Sequence, residues 1–222
     1  MPLGVTKKIL LGLVVGIVCL MSLSLAGNAQ SMMTKSNKLT GNQTAGHGNL
    51  RGTIESVAGK TLVIKTREGS KATITLADDL TVNTVTEASI DNIKEGDFVG
   101  IANVPDGGGT SSALEVVIFP AALKGTGEGD YAWDLKPNSS MTNATVANAV
   151  KGVNGRTVTV TYQGGQKKIA IPDNTPIVAL AAGKVADLRA GAAVFIAAVN
   201  ESDGKFTAHR VVVGTDGVVP PM

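Results

Sequence analysis

The sequence predicts an all-β protein built from two tandem OB-like five-stranded barrels joined by an ordered segment rich in glycine and carrying the single tryptophan. Three observations carry this expectation. An internal repeat runs through most of the chain. Within each copy, short runs alternate apolar and polar residues between glycine turns. One helical turn fits between the third and fourth strands of the first copy, as in an OB-like barrel.

The chain opens with an export signal, residues 1–29. Lys7 and Lys8 precede an uncharged run of 17 residues, Ile9 to Leu25, and Ser24-Leu25-Ala26 and Gly27-Asn28-Ala29 offer the small residues a signal peptidase reads. The mature chain is expected to begin near Gly27 or Gln30. The run is near the lower limit for spanning a bilayer, so a retained anchor is the alternative. The one cysteine, Cys19, lies inside the run and follows Val18, not the small residue a lipoprotein site needs. Residues 30–49 are polar, small and without apolar periodicity, which predicts a disordered tether. His47 sits in it between two glycines.

The first copy, residues 50–119, follows. Gly52–Ile64 resembles Asn148–Val160 at an offset of 96, and Gly69 then matches Gly165. After one deletion the offset becomes 95, pairing Ile74 with Ile169, Ile93 with Leu188, Val99 with Val194, Ile101 with Ile196, and Val116 with Val211. Leu62–Lys65 and Thr73–Leu76 alternate around the Glu68-Gly69 turn, a hairpin pattern. Asp97–Ala102 and Leu114–Ile118 read as the fourth and fifth strands, and Ala88–Ile93 as the helical turn. The second copy, residues 146–222, repeats these at Thr157–Tyr162, Lys168–Ile171, Ala193–Val199 and Thr207–Val213. Residues 120–145 connect the copies. A connection of that length without structure is unusual, so the segment is expected to be ordered, with Trp133 largely buried against a barrel.

Composition excludes several functions. At 43% hydrophobic and 17% charged, the chain is too apolar for intrinsic disorder. One cysteine rules out a disulfide framework and a thiolate cluster, and two histidines rule out a histidine-rich metal site. Loss of Lys7 and Lys8 leaves 18 basic residues against 18 acidic ones. A neutral mature chain has little long-range attraction for nucleic acid or anionic lipid, so neither is expected as a partner.

The chemical candidates are few. Gly125-Thr126-Gly127-Glu128-Gly129 lacks the Lys-Ser/Thr and helix of a phosphate loop. Glu128, Asp130 and Asp134 are three carboxylates in seven residues, the candidate metal ligands, but without the spacing of a calcium loop. The alternative is solvated loop acids. Tyr131 and Trp133 are candidates for ligand stacking or for a contact between the barrels. Phe98 and Phe195 fall on equivalent strands and read as core. His209 aligns with Leu114 and reads as an inward structural residue, with no serine and acid to form a triad. Asn138-Ser139-Ser140 and Asn143-Ala144-Thr145 match the glycosylation triplet by accident in a bacterial-looking chain.

Ile118-Phe119-Pro120, Gly125–Gly129, Trp133-Asp134-Leu135 and Met141-Thr142-Asn143-Ala144-Thr145-Val146 resemble an uncharacterised family of exported bacterial proteins with OB-like domains of unknown function. Some of its members carry the label of metal transporter components. The resemblance extends from Gly52 to Met222. It implies histidines where Val117 and Asp130 stand and a glutamate where Ala121 stands, so this chain departs from any shared ligand set. The reading is a periplasmic or secreted, non-catalytic binding or structural module, with an envelope protein or polymer as partner and no cofactor. The alternative is a metal- or small-molecule-binding protein centred on the linker carboxylates.

Overall fold

The computed structural model describes residues 48–152, 155–201 and 205–221. The expected signal peptide, most of the expected tether and His47 lie outside the described residues. Among the described residues no helix is long and apolar enough to cross a membrane.

The described chain is all-β, with twelve strands and three single 3₁₀ turns. The strands are β1 (Gly48–Ala58), β2 (Thr61–Thr66), β3 (Lys71–Glu87), β4 (Phe98–Pro105), β5 (Ser111–Ile118) and β6 (Gly129–Ala132). They continue as β7 (Ser140–Gly152), β8 (Gly155–Tyr162), β9 (Gly165–Pro172), β10 (Ile177–Ala182), β11 (Ala193–Asn200) and β12 (Phe206–Gly214). β1 begins at Gly48, opposite Ala198, so pairing starts two residues inside the expected tether. The β2–β3 turn uses Gly69 at φ 85°, a conformation that favours glycine.

The two copies do not close separately, which corrects the expectation of one barrel in residues 50–119 and another in 146–222. A five-stranded barrel closes through β1–β2–β3 of the first copy and β12–β11 of the second. Its one parallel contact is β3 with β12. The other strands pair in the order β5–β4–β7–β8–β9. A parallel contact, Ser111↔Ile169 and Ser112↔Ala170, returns β9 to β5. The fourth and fifth strands of each copy have therefore exchanged places. The 3₁₀ turns travel with them: Ile93 packs with Val158 and Ile169, and Leu188 with Ile54 and Ile74. Arg156 ties the first of these turns to β8 by donating to the Ile93 carbonyl at 2.8 Å and to Asp91 at 2.9 Å.

The exchange crosses at an antiparallel ladder between β3 and β10, Val178↔Glu87 through Ala182↔Asn83. Val85 and Leu180, one repeat apart in sequence, face each other in it. A residue meeting its own repeat equivalent marks a local two-fold relation. Matched pairs fill the barrel interior and the core of the other strand circuit: Ile74 and Ile169, Val99 and Val194, Ile101 and Ile196, Val116 and Val211 are all buried.

Two sequence alignments shift. Ile54 and Val146 are the equivalent buried residues of the first strands, because Ser56 pairs with Val63 as Asn148 does with Thr159. The offset there is 92, not 96, since the β7–β8 ladder runs on to Gly152↔Gly155. His209 is exposed, not inward. It is the extra residue of a bulge, where Ala197 pairs with Arg210 and Ala198 with Ala208. The bulge turns its side chain to the outer face, with Nδ1 2.6 Å from Asp79 Oδ1.

Candidate binding site

A third apolar cluster lies outside both strand circuits. Val85, Val117, Val178, Leu180, Phe195 and Val212 are buried there, with Phe119, Leu123 and Trp133 packed on them. These are the outward residues of strands whose alternate positions fill the barrels: Val116 faces one interior while Val117 faces this cluster. Phe195 is thus buried, as expected for core, but on the outer face of β11.

Residues 119–139 cover this cluster. β6 pairs with β7, from Gly129↔Asn143 to Ala132↔Ser140. The turn after Trp133 is closed by Ser139. Its backbone carbonyl accepts from the Trp133 N–H at 2.9 Å, and its hydroxyl donates to the carbonyls of Trp133 and Lys136. Trp133 is partly buried, with its Nε1 out of contact with solvent. Its ring lies 6.1 Å from Phe195 and 6.3 Å from Tyr131, which is 42% exposed. The Arg51 guanidinium sits 5.7 Å from the Trp133 ring centroid and 5.3 Å from that of Phe195.

Between this cover and the strands lies a cavity of about 280 Å³. Its walls include Phe119, Tyr131, Trp133, Phe195, Leu180 and Val212. Gly100 is on its floor, where a Cβ would come within 2.7 Å of Asn143 Oδ1 and 3.1 Å of Phe119. Only glycine admits the close approach of Asn143 and Phe119 there. Two buried asparagines, Asn83 on β3 and Asn143 on β7, supply polar groups to an otherwise apolar lining. Asn83, Arg51 and Gly100 were not singled out from the sequence, and Asn143 entered only as part of a glycosylation triplet and of the segment carrying the family resemblance. The available signal was a polar residue interrupting an apolar strand, as in Val82-Asn83-Thr84-Val85 and Met141-Thr142-Asn143-Ala144.

The three candidate acids do not converge. Glu128 accepts from the Gln163 backbone N–H at 3.0 Å. Asp130 accepts from the Thr142 hydroxyl at 2.7 Å and from Lys167 at 3.0 Å. Burial pushes the Asp130 carboxyl up, but Thr142, Lys167 and Ser140 outweigh it and hold the group below its usual range. Asp134 takes both Arg51 amino groups, at 2.6 and 3.1 Å. For Asp134 too, burial is outweighed by Arg51 and Asn49, and the carboxyl is held low. Among the described residues no group of three acids, histidines or cysteines is arranged to hold a metal.

One buried acid behaves differently. Glu115 on β5 is 8% exposed, and its Oε1 accepts no hydrogen bond. Burial pushes its carboxyl up to about 7, against the positive charges of Arg51 and Arg67 and together with the negative charge of Asp134.

Comparison with protein-family models, curated proteins and solved structures gives no match to this chain.

Proposed function

We propose that this protein is an exported, non-catalytic binding module of the cell envelope, and that its ligand occupies the cavity beneath the Trp133 segment. The reading keeps the resemblance to exported OB-like proteins, with β1–β2–β3–β12–β11 and β7–β8–β9–β5–β4 as two OB-like barrels that exchange strands. The observation that carries it is the cavity itself, surrounded by aromatic side chains from both copies and the connecting segment. Apolar concavities with a few placed polar groups are where small ligands bind. The linker acids are a poorer centre, since each is already engaged by its own partner.

The test needs no knowledge of the natural ligand. Apolar cavities with room for one ring, about 150 Å³ or more, take up benzene. Benzene-saturated buffer is expected to raise the melting temperature by about 2–4 °C, through binding to the folded state alone. Leu180→Phe, which fills the cavity from β10, should abolish the rise. An absent rise, or an equal rise in the variant, contradicts the reading.

A further inference from the structure

The segment over the cavity is tied down at one point. Asp134 accepts from both amino groups of Arg51, at 2.6 and 3.1 Å. The Arg51 side chain is only 11% exposed, and its guanidinium lies against the rings of Trp133 and Phe195. Arg51 thus joins the segment, through Asp134 and Trp133, to β1 and β11. The rest of the segment is lightly held. β6 has four residues, three of them exposed, and among the described residues it pairs only with β7. β1, β5 and β11 are laddered on both edges. Local opening therefore begins at the segment and not in the strands beneath it.

A buried acid lies on the same face. Glu115 shares the outer side of β5 with Val117, two residues on, which belongs to the cluster under the segment. Its Oε1 is buried with no donor. The charged groups that face it are Arg51 from β1, Arg67 from the turn after β2, and Asp134 from the segment. The strands β4, β10 and β11 contain no ionisable residue. As a neutral acid, Glu115 leaves Arg51 to Asp134. As a carboxylate it competes for the same guanidinium, repels Asp134, and needs a donor at an oxygen that has none. Water supplies that donor, and lifting the segment is the opening that admits it most easily.

We propose that the Arg51–Asp134 pair latches the segment over the cavity, and that loss of the Glu115 proton releases it. What the latch retains is the ligand of the binding reading above, on which this part of the proposal rests. The closed form keeps the Glu115 proton up to about 7, and a hydrated carboxyl loses it at the ordinary 4.5. Between those values the closed form carries a proton that the open form has lost, so rising pH favours opening. From pH 5 to pH 8 the opening equilibrium rises by about 70-fold.

Native-state hydrogen exchange of the full chain, corrected for the intrinsic pH dependence of amide exchange, reads this opening. The Trp133 N–H, bonded to the Ser139 carbonyl at 2.9 Å, reports the segment, and the Ile64 N–H in the β2–β3 ladder reports the barrel. Trp133 should be less protected than Ile64 at every pH, and its opening should rise about 70-fold from pH 5 to pH 8. Glu115→Gln should remove that rise. Asp134→Asn should speed Trp133 exchange by about tenfold already at pH 5. Opening at Trp133 that ignores pH overturns the proposal. So does equal protection of Trp133 and Ile64 throughout, which would mean that the segment opens only with the whole fold. Toluene held in the cavity should leave faster at pH 8 than at pH 5 in the wild type, and equally fast at both in Glu115→Gln. Equal departure at both in the wild type contradicts the gating. If toluene does not bind, the cavity reading fails, and the exchange data still decide the latch.

Discussion

Raising the pH from 5 to 9 is expected to lower the unfolding free energy of this protein by about 3 kcal/mol through one residue, Glu115. In the unfolded chain the carboxyl titrates at its ordinary value of 4.5, and in the folded protein at about 7. Between those values the folded state holds a proton that the unfolded state has lost. Stability therefore falls as pH rises through that window, and the loss is complete above the folded value. A difference of about 2.5 pH units corresponds to about 3 kcal/mol. The cause is the dry face between β5 and its neighbours, where Oε1 has no partner and burial outweighs Arg51 and Arg67. Glu115→Gln keeps the shape and removes the titration. Its urea unfolding should match the wild type near pH 5 and exceed it by about 3 kcal/mol at pH 9. Parallel pH profiles for the two proteins contradict the assignment.

Trp133→Ala is expected to destabilise the protein by about 2–3 kcal/mol. A fully buried Trp→Ala change costs about 3–5 kcal/mol, and Trp133 is partly buried, so the lower figure applies. The ring contacts Phe195, Tyr131 and Arg51, and its removal exposes the apolar cluster beneath. The Trp133 Nε1–H is itself buried without an acceptor, which subtracts from the ring's contribution. Chemical denaturation gives the number. A loss below about 1 kcal/mol would place Trp133 among ordinary surface residues, whose substitutions rarely exceed about 0.5 kcal/mol. In that case the segment does not dock through its ring.

Much of the barrel interior was legible because the repeat aligns apolar positions whose burial the structure repeats, such as Ile101 with Ile196. The exchange was not legible, and for a physical reason. Val99 and Val194 are the same residue type, as are Val116 and Val211, so either pair of strands fits either strand circuit. Composition cannot say which circuit they enter. That choice belongs to the path of the chain after β3, and β3 runs on as one 17-residue strand into the β10 ladder. His209 was misread because periodicity assumes an unbroken strand, and a bulge reverses the face. The cavity was half legible. Its aromatic wall stood out as Tyr131 and Trp133. Asn83, Asn143 and Gly100 come from distant strands and line one cavity only through the exchange, which no local pattern encodes.

The exchange is the central claim, and one engineered crosslink tests it most directly. Thr53 on β1 and Ala193 on β11 face each other in an antiparallel pair. Directly opposed residues in such a pair lie about 4.5–5.5 Å apart at Cα, within disulfide range. In a Cys19→Ser background, Thr53→Cys with Ala193→Cys is expected to oxidise within the monomer. Peptide mapping should find residue 53 joined to residue 193. If each copy closed its own barrel, Thr53 would instead face Phe98, the residue 95 positions before Ala193. A reduced 53/193 pair, together with ready oxidation of Thr53→Cys with Phe98→Cys, would contradict the exchange.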